Sequence, residues 1–76
     1  MSAKMNAKET IREMLKGIYD DADVNAMQIW KGYDVSTGRT GWHIQWFGTS
    51  GAEYIGGSVD EVAEFVDEVA ELRESA

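Results

Sequence analysis

Two helix-capping signatures predict where two helices begin in this chain. Asn6 is followed by Glu9, and Ser58 by Glu61, the spacing at which a side-chain oxygen takes a backbone N–H while the glutamate reaches back to the cap. The first predicts a helix over 7–19, because Ile11, Met14, Leu15 and Ile18 recur at intervals of three and four and form one apolar face. Gly17 weakens its end by about 1 kcal/mol relative to alanine. Asp20, Asp21 and Asp23 close it, since acids at a helix C-terminus oppose the macrodipole. The second signature predicts a helix to about residue 75. Its buried stripe is Val59, Val62, Ala63, Val66, Val69 and Ala70, widened by Phe65 and Leu72.

Between these helices the chain turns β-branched, aromatic and alternating over 27–35, 42–47 and 53–55, which predicts three short strands. Gly38, and Gly48 with Gly51, supply the positive φ that tight hairpin turns need, so neighbouring strands pair antiparallel. The expected class is α+β in the order α-β-β-β-α, a three-stranded antiparallel sheet with both helices packed on one face. Each helix has one stripe to bury, and only the sheet can receive it.

Two-residue turns at Thr37-Gly38 and Thr49-Ser50 set Tyr33 opposite Trp42, Ile29 opposite Trp46, and Ile44 opposite Ile55, the core face. The reverse face then carries Gln28, Trp30, His43, Gln45, Phe47 and Tyr54, with Trp30, Gln45 and Tyr54 in one cross-strand row. Uncovered aromatics of this kind mark interfaces, so this face is a candidate homodimer contact.

A chain of 76 residues holds one core, so residues 1–76 form a single domain, with 1–6 as a flexible N-terminus. With no cysteine and a single histidine, neither a disulfide nor a metal supports so small a core, and self-association is the remaining support. The start lacks the apolar run of a signal peptide, and no segment is long and apolar enough to span a membrane. The expected compartment is the cytoplasm.

The net charge of −7 is local. Residues 53–76 carry Glu53, Asp60, Glu61, Glu64, Asp67, Glu68, Glu71 and Glu74 against Arg73 alone, while the acids and bases of the first 52 residues balance. A charge confined to one element can be a binding surface. Asp60, Glu61, Glu64, Asp67, Glu68, Glu71 and Glu74 are therefore the candidate partner-binding residues. They suit a basic protein surface and argue against direct nucleic acid or an anionic membrane. Lys4, Lys8, Arg12 and Lys16 are spaced by four and could form a basic ridge that meets the acidic helix within the molecule or in a second subunit.

No catalytic constellation, metal-ligand set or cofactor motif is visible. His43 is the lone base near neutral pH, read as a surface histidine, and Glu53 alternates to the other face of the sheet. Asp21, Asp23 and Asn25 resemble the opening of a calcium loop, but Ala26 and Gly32 stand where its glycine and bidentate glutamate belong. The triplets Gly17-Ile18-Tyr19 and Tyr54-Ile55-Gly56 spell the two halves of the GIY-YIG nuclease signature. They lie 34 residues apart and the first ends a helix, so the match is taken as chance.

The order α-β-β-β-α resembles the double-stranded-RNA-binding domain as topology. That family contacts phosphates with lysines at the start of its second helix, where this chain has Ser58, Val59, Asp60 and Glu61. The resemblance implies the fold and speaks against RNA binding. In size, charge and absence of catalytic residues the chain also resembles, by type, the small acidic inhibitors encoded by phages and mobile elements, anti-CRISPR proteins among them. The expectation is a non-enzymatic protein-binding module whose acidic helix mimics nucleic acid and blocks a basic nucleic-acid-binding enzyme. A structural homodimer through the aromatic sheet face is the alternative.

Overall fold

The computed structural model describes residues 6–75, so the expectation for the N-terminus falls outside the described residues except at Asn6. The elements are α1 (Ala7–Leu15), α2 (Asp21–Ala26), β1 (Gln28–Asp34), β2 (Arg39–Gln45), β3 (Glu53–Gly56) and α3 (Val59–Ser75). The three strands form one antiparallel sheet in the order β1-β2-β3, and both long helices cover the same face, as the α-β-β-β-α reading expects.

Both caps form. The Asn6 side chain accepts the Glu9 N–H at 2.8 Å and donates to the Glu9 carboxylate at 3.2 Å, while Ser58 Oγ accepts the Glu61 N–H at 3.2 Å. α1 ends at Leu15, four residues short of the expected end, and the chain tightens into i→i+3 bonds from Gly17 to Met14 and from Ile18 to Leu15.

Asp20, Asp21 and Asp23 do not close α1, which ends at Leu15 with Lys16 as its cap. Asp20 is the extended N-cap of α2, with Asp21 and Asp23 in its first turn, where carboxylates favour the macrodipole. So short a helix needs tertiary support. Val24 is buried beneath it, and Arg12 Nη1 donates to the Val24 carbonyl and, at 3.5 Å, to that of Met27, taking acceptors that the helix end leaves unpaired. The segment whose opening resembles a calcium loop is thus helical at Asp21, Asp23 and Asn25.

The first hairpin departs from the expected register by two residues. Ile29 lies opposite Ile44, Trp30 opposite His43, Tyr33 opposite Thr40 and Asp34 opposite Arg39, which leaves residues 35–38 as the turn. Asp34 builds that turn: its carbonyl accepts the Gly38 N–H at 2.8 Å and its carboxylate accepts the Thr37 N–H at 2.9 Å, with Gly38 at φ +70°. An even shift keeps every side chain on its face, so the division into core and reverse faces survives.

The second hairpin is not a tight turn. Trp46 leaves the strand to meet the Tyr19 ring edge-on at 4.6 Å, and residues 46–52 loop back to β3. His43 pairs with Tyr54 and Ile44 with Glu53, where Ile55 was expected. Because Trp42 pairs with Gly56, Ile55 is the extra residue of a bulge and drops into the core.

That core is Ile11, Leu15, Ile18, Val24, Met27, Ile29, Ile44, Ile55 and Val62, each fully buried aliphatic contributing about 1.5–3 kcal/mol. Val59, Phe65, Val66, Val69 and Ala70 of α3 pack on it in part. Leu72, expected on this stripe, is 72% exposed instead. The 17 residues of α3 run about 26 Å, whereas the four of β3 cover about 13 Å, so the helix outruns the strand that it packs on.

Candidate functional site

The acidic surface is built by the helical period. Asp60, Glu64, Asp67, Glu71 and Glu74 follow one another by four, three, four and three residues, and Glu68 lies beside them. All six are exposed because the apolar residues of α3 turn the opposite way, onto the sheet and α1. Among the described residues none of the six takes part in an ion pair. Each neighbouring pair repels by a few tenths, about 0.2–0.5 kcal/mol, so the array is held in place by the burial of the other side of the helix.

Glu61, expected in this array, has another role. Its carboxylate receives the Arg39 guanidinium through two bonds of 2.8 and 3.0 Å, and the Gly57 N–H at 2.9 Å. Arg39 first, then the Gly57 N–H, hold its carboxyl below the ordinary glutamate range. The pair joins the start of β2 to the first turn of α3 and removes Glu61 from the outward charge.

The basic ridge on α1 does not form as expected. Lys4 lies outside the described residues, Arg12 is turned to the end of α2, and Lys16 pairs with Glu13 of its own helix at 2.9 Å. Lys8 is exposed. No described base of α1 reaches a carboxylate of α3. Arg73, the lone base of the tail, donates instead to the Ile18 carbonyl and stands 5.3 Å from the centre of the Tyr19 ring, tying the end of α3 to the end of α1.

On the reverse face of the sheet the aromatic row runs Trp30, His43, Tyr54. The Trp30 and His43 rings stack at 5.5 Å and 10°, and Tyr54 meets His43 edge-on at 5.6 Å. His43, expected as a surface histidine, is 6% exposed between them. The register change puts it at the centre of the row, where Gln45 was expected; Gln45 donates to the Thr49 carbonyl at 2.7 Å and ties down the following loop. Gln28 lies opposite Gln45 and is exposed. Phe47 lies past the end of β2, in the loop, and is 85% exposed. The Tyr54 hydroxyl is buried without a hydrogen-bond partner among the described residues; Gly41 leaves room for its ring and Gly57 for the hydroxyl.

Sequence reasoning missed Asp34. Its carboxylate, through Oδ1, lies 3.7 Å from His43 Nε2, and it is the acid that faces the lone histidine. The Thr37 backbone N–H, followed by the Thr37 side chain, keeps the Asp34 carboxyl below the usual range, and His43 acts in the same direction. The available signal was Asp34 standing three residues before Thr37 and four before Gly38, the pattern of an Asx-headed turn. Glu53, by contrast, pairs with Ile44 and lies toward Tyr19, whose phenol is raised by burial first and by Glu53 second.

Among the described residues no three of histidine, aspartate or glutamate are placed to share a metal ion, and no helix is long and apolar enough to cross a membrane. Comparison of the chain with protein-family models, curated proteins and solved structures returned no match.

Proposed function

We propose that this protein is a non-enzymatic binding module that offers the acidic face of α3 to a basic protein surface. The observation that supports this is the exposed stripe of Asp60, Glu64, Asp67, Glu68, Glu71 and Glu74, without an internal counter-charge among the described residues. Carboxylates repeated along a rigid helix imitate the regular negative charge of a nucleic-acid strand, so the fitting partner is a nucleic-acid-binding enzyme with a cationic groove. The module then acts as an inhibitor in the cytoplasm, of the kind encoded by phages and mobile elements, anti-CRISPR proteins included. Attachment of this kind weakens with salt.

The test is capture of proteins from the source cell at low and high salt, beside a variant in which Glu64, Glu68 and Glu71 are changed to lysine. The expected result is a basic protein retained only by the native chain, released by salt, and unable to bind nucleic acid while held. Retention of the same protein by the triple variant would overturn the reading.

One observation favours a second reading, a homodimer through the sheet. The Trp30, His43, Tyr54 row crosses all three strands on the face that the helices leave open. Light scattering of the native chain and of Trp30→Ala separates the two: a sheet-face dimer dissociates in the variant, whereas an acidic-helix contact is unaffected.

A further inference from the structure

We infer that His43 and Asp34 form a proton-operated clasp that orders the turn between β1 and β2. His43 Nδ1 lies 3.1 Å from the Gly41 carbonyl, which can only accept, so Nδ1 carries a proton. In the neutral ring, Nε2 then presents a lone pair to Asp34 Oδ1 at 3.7 Å, acceptor against acceptor. A second proton turns this contact into an ion pair.

Asp34 carries the change onward. Its Oδ2 accepts the Thr37 N–H and its main-chain carbonyl accepts the Gly38 N–H, so the residue that meets His43 also sets the turn. With His43 charged, Asp34 is drawn toward the sheet and the turn is held; with His43 neutral, the carboxylate is pushed away and the turn loosens. The turn carries Val35, which is 86% exposed, and leads into Arg39, which holds Glu61.

The other ionisable groups facing His43 do not compete for this role. Tyr54 lies edge-on to it, and Arg39 stands beyond Tyr54 at 6.0 Å from that ring, already paired with Glu61. The helices pack on the opposite face of the sheet. As the chain has one histidine and no cysteine, His43 is the only side chain that ordinarily changes charge between about pH 5 and 8.

The experiment is an NMR titration of the native chain over that range, following the His43 ring protons beside the Thr37 and Gly38 amides. The expected result is that both amides shift with the same midpoint as the ring. After correction for intrinsic rates, their hydrogen exchange is at least about threefold slower with the ring charged. Asp34→Asn keeps an oxygen for Thr37 but removes the charge. In this variant the ring still titrates and the amides no longer follow. Amides of the native chain that stay still while His43 titrates would overturn the clasp, as would coupling that persists in Asp34→Asn.

Discussion

Glu61 and its neighbours on α3 are the same kind of residue with opposite roles. The three hydrogen bonds that Glu61 accepts from Arg39 and Gly57 favour its ionised form in the folded state, so its folded value lies below its unfolded one. Such a group contributes stability above the ordinary carboxylate range, near about pH 4.3, and loses it as the pH falls through the lower folded value. Asp34 is shifted in the same direction by Thr37. Urea unfolding at neutral and acid pH should therefore show Glu61→Gln less stable than the native chain at pH 7 and less sensitive to acid, while Glu68→Gln, which gives up no such partner and relieves repulsion, is not destabilised at pH 7. Gly41 shows a steric constraint at the same scale. A Cβ there would stand 2.5 Å from the Gly56 carbonyl oxygen and 2.6 Å from the Tyr54 ring. Gly41→Ala is expected to cost about 1–3 kcal/mol, read from the urea midpoint.

At the scale of elements, two arginines hold helix ends that the local sequence leaves loose. Arg12 takes acceptors at the end of α2, and Arg73 takes the Ile18 carbonyl beyond α1. Removing Arg12 as Arg12→Ala should cost about 1–3 kcal/mol and raise hydrogen exchange across α2 more than across α1. Arg73→Ala should speed exchange in the last turns of α3, which outrun β3, while Val62 and its neighbours stay protected. The caps at Asn6 and Ser58 were legible because a cap and its glutamate lie three residues apart. Neither arginine was legible, since their acceptors lie 12 and 55 residues away. α2 was missed for the same reason: three aspartates fit a helix end as readily as a helix start, and Val24 beneath the helix, with Arg12 at its end, decides between them.

For the whole molecule, the core and the charge are divided between opposite sides of α3. A cavity at Ile44, which is fully buried in the central strand, should lower stability by about 2–5 kcal/mol in Ile44→Ala without altering capture of a basic partner. Conversely, the Glu64, Glu68 and Glu71 reversals should abolish capture while leaving the unfolding transition cooperative. What the sequence determined by itself was whatever repeats within a few residues: the capped helices, the alternation of the strands, the two faces of the sheet and the stripe of acids. Strand faces survived an error in register because their period is two and the hairpin moved by two. Tertiary structure alone decided which charges are spoken for and which side chains are covered. It gave Glu61 to Arg39, turned Arg12 inward, placed His43 under Trp30 against Asp34, and left Leu72 in solvent. Those outcomes depend on how far each element extends and what it meets across the fold, and pairing of that range leaves no local pattern in a chain of this length.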